Sequence, residues 1–212
     1  AGNYALPIDV GNSPALTVTP REIVAGFTSL PTHYGDGPGG VTLIGALSGD
    51  DVSGVQLATP TAGGTQQAFT AYSPVNTYRF DPGLLGAAAG NYVLSPFSDW
   101  ANRTIHPRAV NVAIAGASVV YGSGHTPSAT LDGVLPGDNV SASVGVFDGV
   151  TNLGAALPVT ANVGSYLAQP TGISGTSAFN YIMSVAGSSG GTIAVTEHGI
   201  FSQAATGGGT LL

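Results

Sequence analysis

The chain has 212 residues, of which only 7% are charged, against about a quarter in ordinary globular proteins. Its four cations are all arginines (Arg21, Arg79, Arg103 and Arg108), and the formal net charge is −7. That balance leaves no basic surface for phosphates and argues against nucleic acid and against an anionic membrane face. A chain without lysine, and with few glutamates, is also a poor source of long surface helices. Glycine (33) and proline (14) are abundant while hydrophobic residues hold at 43%. Disorder requires the reverse, low hydrophobicity with high charge, so short strands punctuated by turns are expected. With no cysteine, stability must come without disulfides. No apolar run approaches the roughly 18 residues that span a bilayer, so no membrane insertion is expected. No signal peptide opens the sequence, and its start in mid-motif reads as that of an excised or processed fragment.

The elements fall into an internal repeat. Residues 1–19 read as the closing strands of a preceding repeat. Ala1-Gly2-Asn3-Tyr4-Ala5-Leu6 recurs as Ala89-Gly90-Asn91-Tyr92-Val93-Leu94, and more loosely as Ala178-Phe179-Asn180-Tyr181-Ile182-Met183. Asn3 to Asn91 is a step of 88 residues and Asn91 to Asn180 one of 89. Thr17-Val18-Thr19-Pro20-Arg21 matches Thr104-Ile105-His106-Pro107-Arg108 and marks a stiff junction. A first module is therefore placed at residues 20–106, beginning with a strand whose inward residues are Ile23, Ala25 and Phe27. Tyr34-Gly35, matched by Tyr121-Gly122, leads into a loop, Gly35–Gly40. Leu47-Ser48-Gly49-Asp50-Asp51-Val52, matched by Leu135-Pro136-Gly137-Asp138-Asn139-Val140, is a Gly-Asp turn.

The second module is placed at residues 107–201. It opens with Val110, Val112 and Ile114 alternating with small or polar residues, the period of a strand with one buried face. Val140, Ala142, Val144 and Val146 form another such run, and Tyr181, Met183 and Val185 a third. Ile193–Glu197 resembles the start of a further junction. The glycine-rich tail, residues 202–212, is expected to be poorly packed. A repeat this long is too large for a solenoid rung and suits a self-contained module.

These landmarks resemble the MBG/YDG-type repeat domains of filamentous-haemagglutinin-like secreted bacterial adhesins. The resemblance rests on the Ala-Gly-Asn-Tyr strand, the Thr-Val-Thr-Pro or Thr-Ile-His-Pro junction, Tyr-Gly, and the turns at Leu43–Val52 and Leu131–Val140. It spans nearly all the chain before residue 200. One departure is Ala-Phe-Asn-Tyr in the second copy. It implies an all-β fold of two tandem immunoglobulin-like β-sandwich modules, on very large secreted proteins of the bacterial cell surface that serve adhesion, aggregation or biofilm matrix. The family carries no catalytic residues to transfer.

Few residues offer chemistry. His33, His106, His125 and His198 show no metal-ligand spacing, and no cysteine completes a zinc site. Asp50, Asp51 and Asp138 sit in the Gly-Asp turns. Calcium wants six to eight oxygens, so turn aspartates bonding their own backbone are the simpler reading. Ser123 lies near His125 in sequence without forming a triad, and Glu22 and Glu197 are far apart. The Gly35–Gly40 segment lacks a phosphate-loop lysine. Asn102-Arg103-Thr104 and Asn139-Val140-Ser141 fit the short glycosylation pattern. Trp100 is the only tryptophan. With Tyr72 and Tyr78 it could stack on sugar rings, although a ring covering the seam between modules is the favoured reading.

The expected function is therefore that of a non-catalytic structural stalk or spacer needing no cofactor. Its partners would be neighbouring repeats of the same parent protein. Two alternatives stand beside it: a module binding polysaccharide or host glycan, and a fibre subunit assembling with its own kind by strand donation from residues 1–19.

Overall fold

In the computed structural model, residues 17–199 are described, and they form an all-β chain. The expected strands within residues 1–16 and the glycine-rich tail lie outside the described residues. Residues 17–19 carry no regular structure.

The strands of the first repeat are β1 (Arg21–Phe27), β2 (Val41–Ile44), β3 (Ser53–Pro60), β4 (Gln67–Ala68), β5 (Thr77–Leu85), β6 (Tyr92–Leu94) and β7 (Ala101–Thr104). Those of the second are β8 (Arg108–Ile114), β9 (Ala117–Val120), β10 (Ala129–Asp132), β11 (Ser141–Asp148) and β12 (Thr151–Gly154), then β13 (Gly164–Ser174), β14 (Tyr181–Met183) and β15 (Gly191–Thr196). A single 3-10 turn precedes β6 at Ala89–Asn91 and another precedes β14 at Ala178–Asn180.

The chain folds as two compact units. Unit 1 takes in the described residues up to Pro31, then Gly37–Thr70 and Thr77–Arg103. Unit 2 takes in Thr32–Asp36, Ala71–Asn76 and the described residues from Thr104 onward.

Unit 1 holds a three-stranded sheet ordered β2-β1-β6 and a four-stranded sheet ordered β4-β3-β5-β7. Strand β1 pairs antiparallel with β2 and parallel with β6. Ile23 and Ala25 are buried on β1, as the alternation demands, and Phe27 is half-buried. Phe69, Tyr78 and Phe80 meet ring to ring, with centroids 5.1–6.1 Å apart, and build the aromatic part of the core. One buried polar group lies here. The Gln56 side chain donates to the Ser29 carbonyl (2.6 Å) and accepts from the Gly39 amide (3.1 Å), tying two loop segments to β3. A buried amide so satisfied is tolerated, whereas the loop groups would be orphaned without it.

Unit 2 repeats the plan, with a three-stranded sheet ordered β10-β8-β14 and a five-stranded sheet ordered β12-β11-β13-β15-β9. The core draws on both sheets and gives the unit a sandwich-like character. Val112 and Ile114 come from β8, Val146 from β11, Tyr166 and Ala168 from β13, and Ile193 and Val195 from β15. Val144 packs against this cluster half-buried. Pro170 sits inside β13 beyond the residues that β15 reaches (Gly164–Ala168), so its missing N–H costs no ladder bond on that side.

The two copies share details beyond strand order. Ser95 N donates to Ile23 O and Ser184 N to Val110 O, both at 2.8 Å. The Ser98 hydroxyl accepts from Ala25 N, and the Ser188 hydroxyl from Val112 N. This returning serine corrects one expectation. Val185 does not continue the alternating strand: β14 ends at Met183, Val185 opens a turn in solvent, and the chain rejoins β8 only at Ser188.

Two substitutions test this packing. Ile114→Ala should cost about 2–5 kcal/mol in a urea melt, the usual loss for a buried aliphatic; a near-zero value would put Ile114 on the wrong face. Gln56→Leu should cost about 1–3 kcal/mol despite adding apolar volume, because the Ser29 carbonyl and Gly39 amide lose their partner.

Candidate functional site

A cluster of polar side chains in unit 2 is built around the Gly-Asp turn. Gly137 (φ +89°) turns the chain and Asp138 N bonds back to Leu135 O (3.2 Å), which aims the Asp138 carboxylate toward β14. Tyr181, the first residue of β14, donates its hydroxyl to Asp138 Oδ2 and accepts from Leu135 N (2.9 Å). Tyr34 donates its hydroxyl to the same oxygen at 2.8 Å. The two rings meet edge to face, with centroids 5.3 Å apart.

Tyr34 is 2% exposed and packs with Val110 and Tyr181, while Val75 and Leu135 close over the cluster. Its backbone is held too: Tyr34 N donates to His106 O (2.9 Å), and His106 N to Thr32 O (2.8 Å), a parallel bridge. The Asp36 carboxylate accepts from the amides of Thr32 (2.9 Å) and His33 (2.8 Å), bonds that hold it below the usual carboxylate range. A second segment, Ala71–Asn76, adds Val75, whose amide donates to Asn180 Oδ1 at 3.0 Å. Asn180 is only 5% exposed, so its side chain is committed to that bond.

Burial first, and then the bond to Asp138, raises both phenols. Tyr181 is pushed up to about 12, and Tyr34 is raised well above the ordinary tyrosine value. Such groups must stay protonated to donate. The cluster is a pair of hydroxyl donors on one carboxylate.

Unit 1 carries the same turn. Gly49 has φ +96°, Asp50 N bonds to Leu47 O (3.3 Å), Leu47 N donates to the Tyr92 hydroxyl (3.0 Å), and that hydroxyl donates to Asp50. Arg21 Nε caps Gly45 O at 2.8 Å just as Arg108 Nε caps Gly133 O at 2.8 Å. The aspartates thus bond distant tyrosines, not their own turn backbone as expected. Asp51 likewise accepts from Ala87 N at 3.0 Å. Gly86 explains itself there: at φ +110°, a Cβ would lie 2.3 Å from Asp51 O.

The three residues proposed for glycan contact differ in exposure and in the unit that holds them. Tyr78 is 2% exposed, its ring within the core of unit 1. Tyr72 is exposed but belongs to unit 2, where its hydroxyl donates to Pro136 O (3.4 Å). Trp100 is 60% exposed. The Arg79 guanidinium stands 5.0 Å over it and is clamped by Asp81 (3.0 Å). Beside them lies an open depression of about 580 Å³, lined by Thr59–Thr61, Arg79, Asp81, Trp100 and Asn102.

Of the histidines, His33 and His106 bring their rings to 5.8 Å, and the His125 backbone bonds Leu157 in both directions. Among the described residues no three metal-ligating side chains converge. No protein-family model matches the chain, and no curated protein does.

Stability should fall at alkaline pH. Below about pH 10, the ordinary tyrosine value, folded and unfolded chains both keep their phenolic protons and the full contribution is present. Above it the unfolded chain ionises first, while Tyr34 and Tyr181 hold on, so stability drops as pH rises toward 12. Urea midpoints between pH 8 and 11.5 should show this decline, and Tyr34→Phe should make it shallower. At neutral pH, Asp138→Asn should cost about 1.5–3 kcal/mol, the scale of hydrogen bonds to a charged acceptor.

Proposed function

We propose that this chain is a non-catalytic stalk segment: two tandem immunoglobulin-like β-sandwich modules of the MBG/YDG type, carried on a large secreted bacterial adhesin or matrix protein. The observation that carries the reading is duplication. The order β2-β1-β6 with β4-β3-β5-β7 recurs as β10-β8-β14 with β12-β11-β13-β15, and a frame of hydrogen bonds recurs at steps of 87–90 residues. In each copy the turn aspartate accepts a tyrosine hydroxyl of its own fold, a bond that supports a role in holding shape. The sparse charge and the lack of cysteine fit a secreted module whose stability comes from packing and satisfied backbone.

Trp100 supports a second reading, a module that contacts polysaccharide or host glycan. An exposed indole beside Arg79, Asp81 and Asn102 has the elements of a sugar subsite, but the guanidinium occupies one face and leaves only the other for a ring. Of the residues 1–19 that assembly by strand donation would use, 1–16 lie outside the described residues and 17–19 carry no regular structure.

A polysaccharide and glycan panel separates the two readings. A spacer should bind none of them tighter than millimolar, and Trp100→Ala should leave every signal unchanged. Micromolar binding lost in Trp100→Ala would replace the spacer by the glycan-binding module.

A further inference from the structure

We propose that each repeat carries both halves of one docking joint, so that the tyrosine turn at Val120–Gly122 is built to latch onto the Asp50–Tyr92 site of a further repeat of the same kind. The inference deepens the tandem-spacer reading and rests on it. Its template is the filled joint of unit 2, where the first-repeat segments Thr32–Asp36 and Ala71–Asn76 supply Tyr34 and Val75, and the second repeat supplies Asp138, Tyr181 and Asn180.

The donor half is duplicated at Tyr121. Tyr34-Gly35 and Tyr121-Gly122 form the same turn: Asp36 N bonds to His33 O and Ser123 N to Val120 O, both at 3.0 Å. Both glycines have a positive φ, +92° and +90°. Tyr121 N donates to Thr196 O (2.8 Å) as Tyr34 N does to His106 O. The register of β3 with β5 (Ala58 opposite Phe80) recurs in β11 with β13 (Val146 opposite Ala168). That correspondence, a step of 88, makes Val163 the counterpart of Val75. Yet Tyr34 is buried, while Tyr121 is 47% exposed and Val163 lies exposed beside it, both lining one open depression.

The acceptor half is duplicated in unit 1. Asp50 and Tyr92 repeat Asp138 and Tyr181, with the same amide donated to the tyrosine oxygen. Asn91 stands where Asn180 does. Among the described residues, Asp50 accepts one tyrosine hydroxyl where Asp138 accepts two, and Asn91 is exposed where Asn180 is buried. Leu47 is exposed where Leu135 is half-buried under Tyr34. A carboxylate oxygen with spare lone pairs, an exposed amide and an exposed leucine thus match an exposed phenol, a backbone N–H and an exposed valine. The fitting partner is another repeat of this type, which brings all three at the right spacing.

A head-to-tail fusion of two chains tests this, with Thr196 of the first copy followed by Pro20 of the second, as His106 is followed by Pro107 here. The probe is a double-mutant cycle on melting temperature between Tyr121→Phe in the first copy and Asp50→Asn in the second. The reference is the Tyr34→Phe, Asp138→Asn cycle in the single chain. The fusion should show each change lowering the melting temperature by about 2–8 °C and the pair costing no more than the larger single change. The Val163 amide of the first copy should also exchange at least tenfold more slowly in the fusion than in the free chain, and lose that protection on Asn91→Ala in the second copy. Additive effects and an unprotected Val163 amide in the fusion, with coupling intact in the reference, overturn the joint and leave the spacer reading standing. No coupling in the reference overturns it too, since the template bond would then hold nothing.

Discussion

A single carboxylate oxygen that accepts hydrogen bonds from two phenols organises unit 2. Asp138 Oδ2 receives the hydroxyls of Tyr34 and Tyr181, residues far apart in sequence. The bond fixes where each phenol tip lies, and the rings can then bury their carbon against Val110 and each other. A tyrosine is suited to this role because it takes a large apolar body out of water while its one polar atom stays satisfied. Without the acceptor, the buried hydroxyls would be a liability instead of a guide. The turn that presents the carboxylate depends in turn on a glycine at positive φ and on an arginine capping the neighbouring carbonyl.

The two copies diverge in the interior while keeping the frame. Phe80 on β5 corresponds to Ala168 on β13, and the amide of Gln56 corresponds to the isopropyl group of Val144. A sheet tolerates such exchanges when total volume and polar satisfaction are kept. The backbone and turn bonds allow less freedom, since each buried N–H or carbonyl needs a partner at a fixed distance. This explains why the copies are legible as repeats through turns and junctions more than through their cores.

The strands at Ile23–Phe27 and Val110–Ile114 were readable because alternation reports one buried face directly, and the repeat step follows from landmarks alone. Other features were not local properties of the sequence. Nothing in Leu135–Val140 says that Asp138 reaches Tyr34; only the fold brings them together. From sequence, Tyr78 counts as an aromatic that could stack on sugar beside Trp100, yet alternation places it inward with Phe80. Val185 kept the strand period past Met183, but the ladder ended where Ser184 bonds Val110 O and the chain swung outward. Period shows which face a residue would take, not how far the pairing runs.

Parallel pairing has a mechanical consequence. In the second repeat, the opening strands β8 and β9 lie parallel to the closing strands β14 and β15. Tension drawing the two ends of the repeat apart would slide these strands lengthwise past each other. Every rung of both ladders would then share the load at once, whereas strands peeled from a hairpin surrender their rungs singly. Resistance to stretching is therefore written into the order of the strands, independent of which side chains fill the space between the sheets.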